Sequence, residues 1–461
     1  MLTRSVWRRA AAVVWLLSIG MSPSSASAQI PCTPPEAPVA TPDATAAAPP
    51  AKPPEKDKKP NAAGNLLNSD EKPPSSGGPP PPPRGKDEFT LVPAVGASTD
   101  IGVAIGYFAA LTRNQKGYVP YLWNIESAGL MSFGLANRAV DFPYIDVFAK
   151  LTVPRFLGDS IALEIRPSFT DEQALYYYGM GNASSATPPA GQSMDYFKYG
   201  RVHPSLLADL RFKLVDHVAG IAGMRYTGSW YTVPAGSQLA ADLQDGSREV
   251  RGLIGPTSQT NVGLFVYGVQ IDTRDSEVTA HSGTFDEAML KLSPADEGAV
   301  PFRYGEASLN LRAYIPLARK ITLAGRIVGD VLFGDPPFAE LPRFEDTYAV
   351  GGSNGVRGVP QERYYGKVKV FGNLELRVKL FDFHAFSKMW GFGFETFFDG
   401  GRVWADTSPH PELDGTGLGL KYGVGGGLRL SSGTAFVIRG DIAWSPDATP
   451  VGAYVTGGEM F

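Results

Sequence analysis

One cysteine, Cys32, occurs in 461 residues. It has no partner within the chain, so a disulfide scaffold and a cysteine-built zinc site are both excluded. No stretch reaches 18 consecutive apolar residues, so the sequence offers no membrane-spanning helix. Charged residues make up only 19%, and the net charge of −4 leaves no basic footprint for nucleic acid. The five histidines (His203, His217, His281, His384, His410) are scattered without a metal-ligand spacing, so no metal or cofactor is expected. Glycine (53) and proline (39) are abundant instead. Both weaken helices, which argues against a helical bundle.

Residues 1–28 read as a secretory signal. Arg4, Arg8 and Arg9 form a basic start, Ala10–Gly20 is a short apolar stretch, and Ala26-Ser27-Ala28 fits a cleavage site. Residues 29–86 read as a disordered periplasmic linker rich in Pro and Ala, with seventeen prolines between Pro31 and Pro83.

From residue 87 to 461 the pattern is alternation, with apolar and polar residues trading places and turn residues between. Leu374, Leu376, Val378 and Leu380 face one way, and Glu375, Arg377 and Lys379 the other. Leu309, Leu311, Ala313 and Ile315 alternate with Ser308, Asn310, Arg312 and Tyr314. About sixteen such segments follow one another, the first near Phe89–Val95 and the last at Gly452–Phe461.

A soluble antiparallel sandwich has a similar rhythm. Long strands, charged residues on the polar face, the secretion signal and the closing aromatic Phe461 favour a transmembrane antiparallel β-barrel. In lipid, β-structure must close on itself to satisfy its backbone. Tyr176, Tyr177, Tyr178, Trp230, Tyr231 and Trp404 lie near strand ends and suit the aromatic girdles of such a barrel.

Gly334–Gly366 is too long for a simple turn. It carries Gly351-Gly352-Ser353-Asn354-Gly355-Val356-Arg357-Gly358-Val359. An arginine inside a barrel needs acidic partners. Glu375 and Asp399 lie on the next two strands, and Arg's planar fork suits carboxylates. Val356-Arg357-Gly358-Val359 resembles the VRGF/Y signature on the sixth extracellular loop of the BamA/TamA-type outer-membrane assembly superfamily, the bacterial surface antigen family. Phe397-Phe398-Asp399-Gly400-Gly401 is similar to that family's F-x-D-x-G strand motif, which places Phe397, Asp399 and Gly401. Asn373-Leu374-Glu375 resembles its acidic site one strand earlier. Asp272-Thr273-Arg274-Asp275, followed by Ser282-Gly283-Thr284, resembles one of its turns.

The resemblance covers about residues 89–461 and implies a sixteen-stranded barrel whose sixth loop folds into the lumen. Arg357 would pair there with Glu375 and Asp399. The first and last strands would meet in a weak seam, about Phe89–Val95 against Gly452–Phe461. The implied function is insertion or translocation of polypeptides by a bacterial outer-membrane protein whose N-terminal arm lies in the periplasm. Its implied partners are outer-membrane lipid, lipopolysaccharide and an unfolded polypeptide client, with no nucleic acid, around a monomeric barrel. Val359 replaces the family's aromatic, and residues 29–86 leave no room for a POTRA domain, so a POTRA-less member is expected.

Three other readings compete: a passive channel, an outer-membrane hydrolase using Ser353, and a tethered surface β-protein. The G-x-S-x-G match at Gly351–Gly355 lacks the helix that a nucleophile elbow requires, so no catalytic residue is expected. Gly423–Gly427 precedes a strand and cannot be a dinucleotide loop. It suits a bend, or a place where the sheet packs against the lumen loop.

Overall fold

The structure, a computed structural model, describes residues 85–461 apart from 116–117, 119, 137–138, 245–258, 296–299, 345–346, 349, 386–387, 433–435 and 448–450. The expected signal and nearly all of the expected linker lie outside the described residues. Sixteen antiparallel strands close into a barrel. They are β1 Lys86–Ser98, β2 Gly102–Asn114, β3 Trp123–Ala136, β4 Tyr144–Val153, β5 Ile161–Tyr176, β6 Lys198–Val215, β7 Val218–Thr232 and β8 Gln259–Asp272. The second half comprises β9 Gly283–Leu292, β10 Tyr304–Ala318, β11 Ile321–Gly334, β12 Val368–Ala385, β13 Lys388–Trp404, β14 Lys421–Ser432, β15 Phe436–Trp444 and β16 Gly452–Gly457. Each pairs with its sequence neighbours, and β1 meets β16.

The alternation read from the sequence sorts residues by face. Leu309, Leu311, Ile327, Leu374, Phe398, Leu428 and Ile442 are exposed on the outer wall. Their neighbours Asn310, Arg326, Glu375, Arg377, Asp399 and Asp441 are buried inside. An exposed apolar belt around a charged interior is inverted relative to a soluble protein and suits a lipid solvent. Long loops gather at one end and tight turns at the other; in barrels of this kind the loop end faces outward and the turn end faces the periplasm.

Three of the expected girdle aromatics are placed differently. Tyr177, Tyr178 and Tyr231 are buried. Tyr177 and Tyr231 join Tyr199, Phe338, Leu341 and Tyr365 in an apolar cluster at the loop end, and Tyr178 packs on Phe197 beside it. The loops bring their own aromatic surface (Phe338, Tyr365), and burial against it outweighs exposure at the lipid interface. Trp230 remains on the outside, 45% exposed.

The last strand also differs. It stops at Gly457 rather than running to Phe461. Gly458 adopts φ +89 and donates its N–H to the Val437 carbonyl at 2.8 Å, so the chain turns off the sheet. The expected pairing of Phe89–Val95 with this strand is absent. Only Ala97↔Val455 and Ser98↔Tyr454 are in register, continued by Thr99 N–H to the Ala453 carbonyl at 3.0 Å.

Candidate functional site: the loop arginine and the seam

β11 and β12 are joined by the long loop 335–367, which carries the Val356-Arg357-Gly358-Val359 motif. Arg357 is fully buried. Its Nε donates to Asp399 Oδ2 at 2.7 Å and its Nη2 to Asp399 Oδ1 at 3.0 Å, a two-pronged pair. Its Nη1 lies 2.8 Å from Glu375 Oε1. The Arg357 backbone N–H also reaches Asp399 Oδ2, at 3.1 Å. The structure thus brings together the arginine and both carboxylates singled out in the sequence.

It adds two more acids. Glu395 lies 3.2 Å and Asp441 3.4 Å from Arg357 Nη1. Glu395 sits on β13 one inward position before Phe397, and Asp441 on β15, so strand parity alone could have nominated both. Phe397 lies flat beneath the guanidinium, whose Cζ is 3.4 Å from the ring centroid. A lone cation could not balance these acids. Arg377 pairs with Glu375 at 2.7 Å, Arg429 with Glu395 at 3.1 Å, and Arg439 with Asp441 at 3.1 Å. Alternating charge keeps the cluster near neutral, which is what a buried ionic network requires.

The wall is shaped for the loop backbone. A Cβ at Gly423 would lie 1.8 Å from the Arg357 carbonyl oxygen, and one at Gly425 2.6 Å from the Phe397 ring. The glycine run of β14 therefore provides the close approach its sequence suggested. Gly401 on β13 makes room within the wall instead, since a Cβ there would meet Phe371 of β12 at 2.7 Å. Gly358 takes φ +91, a left-handed turn open to glycine. Asn373 donates to the Gly355 carbonyl at 2.8 Å, and Arg326 to the Asn354 carbonyl at 2.7 Å. Val356 and Val359 are fully buried with Val328, Val350, Tyr364, Phe371 and Val403. A larger ring at residue 359 is unnecessary because Tyr364 and Phe371 already fill that layer.

The loop's far side is held by a second cluster. Arg343 bridges Glu172 at 2.7 Å and Glu362 at 2.8 Å, and Glu172 Oε2 accepts from His203 Nε2–H at 2.9 Å. Tyr199 and Tyr365 both donate to Glu362, at 3.1 and 3.2 Å. Burial pushes the Glu362 carboxyl above its ordinary range, with Arg343 pulling against that shift. Ser353 is held through its carbonyl by Arg439 at 3.5 Å.

The same loop touches both sides of the seam. Gly358 N–H donates to Tyr454 Oη of β16 at 3.0 Å, and Gln361 N–H to Asp100 Oδ1 at 3.2 Å, in the turn between β1 and β2. Neither Tyr454 nor Asp100 carries a motif that sequence reading could have caught. The family-like turn 272–284 is ordered by Arg274 on Asp272 at 2.8 Å and by Asp275 accepting from His281 and Ser282 N–H.

Among solved structures, BamA from Haemophilus ducreyi lacking POTRA domains 1–3 superposes with a TM-score of 0.53 at 15% identity, covering 81% of this chain and 70% of that one. CdiB from Escherichia coli gives 0.51 at 12%, covering 80% of this chain; the chain spans 62% of CdiB. At these identities the likeness is one of fold. No curated protein matches the sequence. Residues 237–457, which include the loop arginine and its four carboxylates, match the Omp85 superfamily domain.

Proposed function

We propose that the protein inserts polypeptides into, or translocates them across, the bacterial outer membrane, using the lumen and the β1–β16 seam without covalent chemistry. The observation that carries this reading is the seam. Of the 13 residues of β1, two pair with β16. Elsewhere the ladders run long: β12 and β13 pair from Val368↔Trp404 to Ala385↔Lys388. An edge of unpaired N–H and C=O groups is a template for an incoming strand. In a passive channel such an edge is a liability with no return. The loop held by Arg357 acts as a plug, keeping the lumen shut to free solute while the seam works. Lipid and lipopolysaccharide surround the apolar belt, a single barrel suffices, and the arm 29–86 lies in the periplasm.

The test is reconstitution in liposomes, following the folding rate of an unfolded outer-membrane protein against empty liposomes. Acceleration abolished by a disulfide between β1 and β16 is expected. Solute conductance with no acceleration would replace this reading with the passive channel.

A further inference from the structure

The lipid-facing wall is not smooth. Ala313 of β10, Gly325 of β11, Gly372 of β12 and Gly400 of β13 floor a furrow of about 560 Å³ with an almost wholly apolar lining. Leu311 and Ile327 stand above its first half, and Leu374 and Phe398 below its second. All four are exposed on the outer wall. The wall itself does not require these glycines. A Cβ at Gly325 would have no neighbour nearer than 3.9 Å, and one at Gly400 none nearer than 3.5 Å. Neither takes a left-handed φ. At Gly423, by contrast, the loop backbone forbids a side chain. A glycine inside a strand weakens it, and often marks a place where something approaches closely. Here the approach is from the lipid side.

A second unexplained cost lies beside the first. Asp286 of β9 lines the furrow at one end. It opposes Ile271 and Leu311, both exposed on the outer wall, so its carboxylate also faces outward. It has no hydrogen bond or ion pair among the described residues. A charge turned to lipid destabilises a barrel unless something answers it.

Register places the two features at fitting depths. Asp286 is the fourth residue of β9 counted from the turn end, and Gly400 the thirteenth of β13 counted from the same end. The furrow therefore climbs away from the turn end as it crosses from β9 to β13. With strands about 4.8 Å apart and tilted by about 40°, it climbs about 15 Å. That is one leaflet of a hydrocarbon core about 30 Å thick. The turn end faces the periplasm, so Asp286 lies at headgroup depth in the periplasmic leaflet and the glycines lie at acyl-chain depth.

We propose that the furrow holds one phospholipid of the periplasmic leaflet, with its acyl chain over Gly325, Gly372 and Gly400 and a primary ammonium headgroup on Asp286. An ammonium brings three N–H donors and a positive charge to a carboxylate that lacks both. The chain fills space that the wall leaves open. The site stands apart from the function proposed above, because β9 to β13 take no part in the seam.

The test is native mass spectrometry of the full chain after incubation with one phospholipid at a time, all with the same acyl chains. Phosphatidylethanolamine carries the ammonium, phosphatidylcholine a cation without N–H donors, and phosphatidylglycerol no cation. One phosphatidylethanolamine per barrel should be retained, about tenfold above the other two, the worth of one charge-assisted hydrogen bond. Asp286→Asn should abolish that preference and keep the residual binding of all three. Gly325→Ile should weaken all three, whereas Gly329→Ile, outward on the same strand but outside the furrow, should change nothing. Equal retention of the three lipids by the parent, or a preference that survives Asp286→Asn, overturns the proposal. A dimer that disappears in Gly325→Ile overturns it too, by making the furrow an interface between barrels. Thermal unfolding in nanodiscs avoids any variant of the wall glycines. Replacing phosphatidylcholine with phosphatidylethanolamine should raise the parent's midpoint by about 3 °C more than that of Asp286→Asn, and equal shifts overturn the proposal. Neither measurement involves a client, so the lipid site and the insertion reading stand or fall separately.

Discussion

The two halves of the seam are built on different principles. At the loop end, β1 and β16 share their only ladder, and the long loop pins each side of it, β16 through Tyr454 and the β1–β2 turn through Asp100. At the turn end, β1 from Lys86 to Gly96 has no partner on that side, and Phe89 and Val95 are 67% and 72% exposed. The upper half is secured by a third element that belongs to neither strand, whereas the lower half is open because the last strand ends at Gly457 and the chain turns off the sheet at Gly458. On the proposed function, a seam made this way would open as a wedge from the turn end, with the arginine-anchored loop as its hinge. The sharpest ways to test the contrast act on the upper half, because the lower half should stay as it is.

The largest effect is expected at Arg357. Arg357→Glu would place a fifth acid among Glu375, Glu395, Asp399 and Asp441. Removing one partner of a buried ionic set typically costs about 3–5 kcal/mol, and charge reversal adds repulsion. Denaturant unfolding in detergent should show that loss, and limited proteolysis should cut within 335–367. A wild-type midpoint and an uncut loop would mean the arginine is not the hinge. Next comes Gly423→Ala, whose Cβ would meet the Arg357 carbonyl at 1.8 Å. Backbone on both sides leaves nothing to yield, so overpacking of about 1–3 kcal/mol is expected. Gly329→Ala, facing open space outside, should leave the midpoint within about 0.5 kcal/mol and serves as the control.

Tyr454→Phe is smaller and more local. It leaves the buried Gly358 N–H without an acceptor, a penalty of about 1–3 kcal/mol if nothing replaces it. Hydrogen exchange should speed up at Ala97 and Thr99 and not in β12 or β13. Faster exchange throughout the barrel would mean that the loop supports the whole wall rather than the seam.

The uneven seam also shows what a sequence discloses. Alternation disclosed all sixteen strands, because a barrel wall with lipid on one side and charge on the other enforces period two at nearly every residue. Arg357, Glu375 and Asp399 were legible because an inward arginine needs inward acids and parity says which residues qualify. The tail was not legible: Tyr454, Thr456 and Gly458 continue the parity of β16, and only the site formed by Arg326, Arg377 and Tyr314, far away in sequence, draws Glu459–Phe461 off the edge. The girdle tyrosines were misplaced for a related reason. Proximity to a strand end does not say which way a ring points, and Tyr177 has Phe338 to pack on at 5.3 Å.

The smallest expected effect concerns Asp100 and pH. Asp100 is half-buried in the turn at the top of β1, and burial pushes its carboxyl up to about 6, with the Gln361 N–H pulling the other way. A carboxyl raised in the folded state binds its proton more tightly there than in the unfolded chain. The folded state is therefore favoured most at low pH, loses that advantage as pH rises from 3.8 to about 6, and is level above that. The charged form alone carries the desolvation penalty. Asp100→Asn keeps an acceptor for Gln361 and removes the charge. The variant should melt higher than the parent at pH 7, by less than about 1 kcal/mol given the residue's partial exposure, and the gap should close by pH 4. If the parent instead melts higher at pH 7, the charge strengthens the Gln361 bond more than burial weakens it. The upper seam would then be fastened by an ionised latch and released, rather than tightened, by acid.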